Sequence, residues 1–134
     1  MLLHDIRGEH IEQVVVPAIG SATATTNIPI FWSPFDCKLH QVYFTLGSAI
    51  TGDDSNTFNL NLINRGTDGS GTAEIDNVDF GSGTDGTAHV RTTLYSSSTG
   101  TSLDAGTHLT LQREKVGNGQ NMPYMLVEIV YKGA

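Results

Sequence analysis

The chain has 134 residues, a length that suits one domain able to bury a core without covalent staples. Its single cysteine, Cys37, excludes an intramolecular disulfide framework and a multi-cysteine zinc site. A net charge of -7, with seven Lys and Arg residues scattered singly, argues against nucleic acid or an anionic membrane as partner, because duplexes are bound largely by neutralising phosphates.

Charged residues make up 16% of the chain, below the roughly 25% usual for soluble domains. Gly, Thr, Ser and Asn fill the difference, and these suit turns and strands better than helices. Residues 1–12 have mixed charge and little period, which fits a short strand, a partly ordered terminus or, on a sharper reading, an N-terminal arm reaching a neighbouring subunit. They show no basic region followed by an apolar one, so a chain made in a cytoplasm is expected. Gln13 to Val16 is a β-branched run closed by Pro17 and Gly20, hence a short strand and a turn. Ile28, Ile30 and Trp32 then alternate with Pro29 and Phe31. Pro29 lacks a donor N–H, so this strand belongs at a sheet edge or is irregular. The phase puts Trp32 in the core and Phe31 outward, toward solvent or a partner.

Lys38 to Ile50 is the longest strand pattern, with Val42, Phe44 and Leu46 on one face and Tyr43 and Thr45 on the other. Thr51 to Asn56 is a turn cluster. Phe58, Leu60 and Leu62 alternate with Asn59 and Asn61, the pattern of a strand with one wet face. Thr72 to Phe80 breaks period at Asp76-Asn77, which predicts a bulge or two short strands. Ala88 to Leu94 predicts a strand with His89, Arg91 and Tyr95 in the outward phase. Ser96 to Ser102 reads as a polar loop. Thr107 to Glu114 and Tyr124 to Tyr131 complete the set, the last with Met125, Val127, Ile129 and Tyr131 on one face.

About eight strands separated by turn signals every roughly 8–12 residues predict an all-β, antiparallel β-sandwich, with residues 1–12 as N-terminal arm or strand and 13–134 as the sandwich. No segment sustains a helical period.

Side chains with chemical potential are sparse. Asp53, Asp54, Asn56, Asp68 and Asp85 offer oxygen ligands on Gly-rich loops, but no calcium-loop spacing is present, and Asp and Gly are the ordinary residues of turns. His4, His10, His40, His89 and His108 follow no metal-binding spacing. Glu74 and Asp76 lie two apart on a strand and read as a solvated face, not an acid–base pair in a cleft. Cys37 reads as a small buried residue. No nucleophile elbow or phosphate loop occurs, so no catalytic residue, metal or cofactor is expected. Tyr95 and Tyr124 are the candidates for an exposed aromatic platform.

Three segments then carry a resemblance: Lys38-Leu39-His40-Gln41-Val42-Tyr43-Phe44-Thr45-Leu46, then Thr57-Phe58-Asn59-Leu60-Asn61-Leu62, then Ser102-Leu103-Asp104-Ala105-Gly106-Thr107-His108-Leu109-Thr110-Leu111 before the final Pro123–Tyr131 strand. Their order, across residues 35–131, resembles the small jelly-roll capsid decoration proteins of tailed bacteriophages. The resemblance implies a jelly roll, a homotrimer on the outer capsid surface, the major capsid protein as partner, and no catalytic residues. Residues 1–34 lie outside it. On this reading the contact residues are Ile28 and Phe31 on the irregular edge strand, with His4, Ile6 and Ile11 in the arm. The alternative is a carbohydrate- or receptor-binding jelly-roll module of a phage fibre or spike.

Overall fold

The structure is a computed structural model, and it describes residues 8–134. Eight strands follow the period-two pattern: β1 (Glu9–Val16), β2 (Thr26–Trp32), β3 (Cys37–Leu46), β4 (Thr57–Gly66), β5 (Ala73–Val78), β6 (Thr92–Leu103), β7 (His108–Val116) and β8 (Met125–Gly133). They form two antiparallel four-stranded sheets, ordered β1-β8-β3-β6 and β2-β7-β4-β5. The first four strands pair with the last four in nested fashion, β1 with β8, β2 with β7, β3 with β6 and β4 with β5. This β-sandwich order is consistent with a jelly roll. Every connection except β4 to β5 crosses between sheets, so consecutive strands present apolar residues to one another across a shared core.

That core is built as alternation requires. Val42, Phe44 and Leu46 of β3 face Phe58, Leu60 and Leu62 of β4, and none is more than 1% exposed. Each such burial stabilises by about 1.5–3 kcal/mol. Phe80, in the loop after β5, meets Phe44 edge-on at 6.3 Å. At the opposite end Phe31, Phe35 and His10 surround the ring of Tyr131 at centroid distances of 4.9, 6.0 and 5.1 Å.

The structure corrects several expectations, and bulges account for most of them. The register of β2 against β7 shifts between Pro29 and Phe31. Pro29 cannot donate to the ladder, and the extra residue there reverses the phase. Phe31, expected to face outward as a contact residue, is therefore buried (5% exposed), and Trp32, expected in the core, is 56% exposed. Ile28 is half-buried and packs against the core. β2 is an edge strand, as Pro29 predicts.

A second shift lies between Val42 and Tyr43 opposite β6, where Val42 pairs with Tyr95 and Tyr43 with Thr93. Leu94 and Tyr95 are consequently both buried, and Tyr95 is no platform. The serine-rich segment expected as a loop belongs to β6: Thr101 pairs with Leu39 and Ser96 with Gln41, so residues 97–100 bow outward opposite His40 alone. The His40 ring nitrogen Nδ1 meets the Ser97 carbonyl at 3.1 Å. The strand expected from Ala88 begins only at Thr92, because His89 takes a left-handed φ of 60° and turns the chain. β1 pairs with β8 from Glu9 to Val16 and so runs through residues 12 and 13 without a break.

Tyr131 gives the sandwich a titratable element. Its hydroxyl donates to Glu12 Oε1 at 3.2 Å. Burial first, then the Glu12 charge and hydrogen bond, push its pKa up to about 12 from the usual 10. A phenol raised in the folded state contributes stability that is complete below pH 10 and lost as pH rises through about 12. The melting temperature is therefore expected to fall across that window, and Tyr131→Phe to flatten the fall. An unchanged slope in the phenylalanine variant would assign the effect elsewhere.

Candidate functional site

Two surfaces carry side chains that the core does not use. The first is the outer face of β2-β7-β4-β5. Leu109 and Leu111 point inward from β7, so His108, Thr110 and Gln112 point out. Their cross-strand neighbours on β2 are Trp32, Pro29 and Asn27, which share that face. Arg65 stands where the β4 register slips, between Asn64 and Gly66, and its side chain returns across the sheet. Nε donates to Thr110 Oγ1 at 3.0 Å, Nη1 to the Gly71 carbonyl at 3.2 Å and Nη2 to Asn27 Oδ1 at 2.6 Å. Asn27 Oδ1 also accepts from Gln112 Nε2 at 3.1 Å, and Asn61 Nδ2 donates to Gln112 Oε1 at 2.9 Å and Glu114 Oε2 at 2.7 Å.

Beside this network lies an open cleft of about 540 Å³, lined by Asn27, Pro29, Arg65, Asp68, Gly69, His108 and Thr110. Asp68 enters it from the β4–β5 loop. Ser70 donates to Asp68 Oδ1 through its backbone N–H at 2.9 Å and its hydroxyl at 2.8 Å, which holds the carboxyl below the usual carboxylate range. The cleft is thus lined by both a fixed cation and an ionised anion. Trp32 pairs with His108 and is exposed on the same face, just beyond the residues that line the cleft, with its indole nitrogen beside Gly106.

The second surface is the free edge of β1. Ile11 and Val15 project from its outer face, 53% and 65% exposed. Their neighbours there are Val130 and Leu126 of β8. Between those two, Glu128 accepts from Gln13 at 3.1 Å and pairs with Arg91 at 3.3 Å. The Arg91 guanidinium in turn lies 3.7 Å over the Tyr43 ring. A long edge strand with β-branched residues outward is a surface that tends to pair or dock.

The remaining expected residues are dispersed. His4 and Ile6 lie outside the described residues. Tyr124 is 56% exposed and packs over Gly47, away from Trp32. Asp53, Asp54 and Asp85 hold their own loops: Asp53 Oδ1 accepts from Ser55 and Asn56, Asp54 Oδ1 from Ser82 at 2.7 Å, and Asp85 Oδ1 from Gly52 at 2.8 Å. Among the described residues no three of His, Cys, Asp and Glu cluster as metal ligands. Glu74 and Asp76 are both exposed, on either side of Ile75, which packs against the core, and the β4–β5 register shifts beside them between Leu62 and Ile63. Cys37 is buried, and that burial pushes its thiol up, against the pull of the Ser33 hydroxyl, so it is a poor thiolate.

Sequence reading missed the Asn27, Arg65, Asp68 and His108 constellation. The available signal was Arg65 itself, a lone arginine near the end of a strand whose outward residues include Asn59 and Asn61. Comparison of the chain with protein-family models, with curated proteins and with solved structures finds no match in any of the three.

Proposed function

We propose that this chain is a non-enzymatic structural protein of a virion: a capsid decoration protein that binds the major capsid protein on the outer head surface as a homotrimer and stabilises the shell. The observation that carries the reading is the exposed Ile11 and Val15 on the free β1 edge, Val15 beside half-buried Leu126 and Ile11 beside buried Val130. A clamp works by burying area. Stable association needs roughly 1,000 Å² or more with an apolar centre and a polar rim, and the Gln13, Glu128 and Arg91 group supplies such a rim. The loop carboxylates support a structural role, since they are spent on fixing backbone. The chain's -7 charge would keep unassembled copies apart from one another and from the genome.

Light scattering on the eluting protein tests the association. A mass near three times 14.3 kDa is expected, falling to that of a monomer when Ile11→Lys and Val15→Lys are combined, with the melting temperature within a few degrees of the parent. Gold-labelled antibody to the chain is expected to decorate the heads of virions from the source culture. A monomer that leaves virions unlabelled would refute the reading.

A further inference from the structure

We propose that the cleft between β2, β7 and the β4–β5 loop binds a neutral saccharide, with Trp32 as the stacking surface for a sugar ring. The inference is independent of the virion reading, since it uses the opposite sheet and none of the β1 edge residues.

The donor and acceptor set argues for the ligand class. Arg65 has five N–H groups, and its bonds to Thr110, Gly71 and Asn27 use three while holding the guanidinium still. None of those acceptors is a carboxylate. Asp68, ionised and fixed by Ser70, can only accept. A sugar hydroxyl both donates and accepts, so a ligand carrying several hydroxyls can answer both Arg65 and Asp68. A phosphate or carboxylate would satisfy Arg65 but face the Asp68 charge on a chain of net charge -7. An apolar ligand would strand both.

Geometry supports the same ligand. The cleft volume of about 540 Å³ falls within the range of small-molecule sites. Its floor is paired strand, with Asn27, Pro29, Thr110 and His108 in fixed register, so little ordering is needed on binding. Trp32 exposes an indole where a core would otherwise have taken it, because the Pro29 bulge turned it outward. An aromatic face beside convergent polar groups suits a ligand with an apolar ring face and a polar rim.

Trp32 is the chain's one tryptophan, so its emission reports on this site alone. The full chain is titrated with neutral oligosaccharides of glucose, galactose, mannose and N-acetylglucosamine, and with glucuronate and inorganic phosphate, by fluorescence and calorimetry. A saturable change with at least one neutral oligosaccharide, matched by heat, is expected. Trp32→Ala and Asp68→Asn are each expected to weaken binding by about tenfold or more, equivalent to 1.4 kcal/mol, without lowering the melting temperature by more than a few degrees. Asp68→Asn keeps the oxygen that Ser70 uses, so it separates ligand contact from loop integrity. Binding of the anions alone, no binding of any neutral saccharide, or parental affinity in both variants would overturn the proposal.

Discussion

Replacing Arg113 by alanine is expected to destabilise the protein by about 3–5 kcal/mol, a fall of roughly 10–20 °C in melting temperature. Arg113 follows Leu109 and Leu111 on the inner face of β7 and is 1% exposed. Its guanidinium donates through Nη1 to the Pro17 carbonyl and through Nε to Thr26 Oγ1 at 3.2 Å. It thereby ties the β1–β2 connection to the end of the sandwich. Burial lowers its pKa from the usual value, yet a guanidinium stays protonated at any working pH, so the charge is held by these bonds. Alanine leaves a cavity and strands a carbonyl and a hydroxyl, each costing about 1–3 kcal/mol. Arg113→Met separates the contributions. It keeps most of the volume and removes a desolvated charge, so its loss is expected at about 1–2 kcal/mol, chiefly for the Pro17 carbonyl. Urea midpoints of both variants check this. If alanine costs less than about 1 kcal/mol, Arg113 does not hold that end together.

Gly117→Ala is expected to cost about 3 kcal/mol or more, for two separable reasons. Gly117 has φ of 58°, where an L side chain is strained by about 1–2 kcal/mol. A Cβ there would also stand 2.0 Å from the Ser55 carbonyl oxygen, a backbone atom that no rotamer can move aside. The contact matters because the β3–β4 loop docks on the β7–β8 turn at this point: Asn56 Oδ1 accepts from the Asn118 N–H at 2.8 Å. Gly83→Ala is the control. Its φ is 85°, but a Cβ there meets nothing within 4 Å, so only the conformational cost is expected. Equal losses from the two substitutions, measured by thermal melting, would remove the steric part of the argument.

These effects bear on how far each feature could be read before the fold was known. The face of β8 was legible: Met125, Val127, Ile129 and Tyr131 alternate without interruption and are all buried. The same holds for Val42, Phe44 and Leu46. Trp32 and Tyr95 were misread because each follows a bulge, and a bulge reverses a period-two count from that residue onward. Arg113 was illegible for another reason. Charge predicts exposure on average, and only the Pro17 carbonyl from the β1–β2 connection and the Thr26 hydroxyl from β2 make burial tolerable.

The sequence alone therefore determined the all-β class, the antiparallel sandwich, the edge position of the Pro29 strand and the residues of the uninterrupted strands, because alternation and turn chemistry act between residues close along the chain. The tertiary structure decided what is exposed after each bulge and which polar side chains meet. Arg65 finds Asn27 and Thr110 at separations of 38 and 45 residues, and Arg113 finds Pro17 across 96. Partners so distant are chosen by strand order and register, and one residue of register exchanges the core face of a strand for its solvent face.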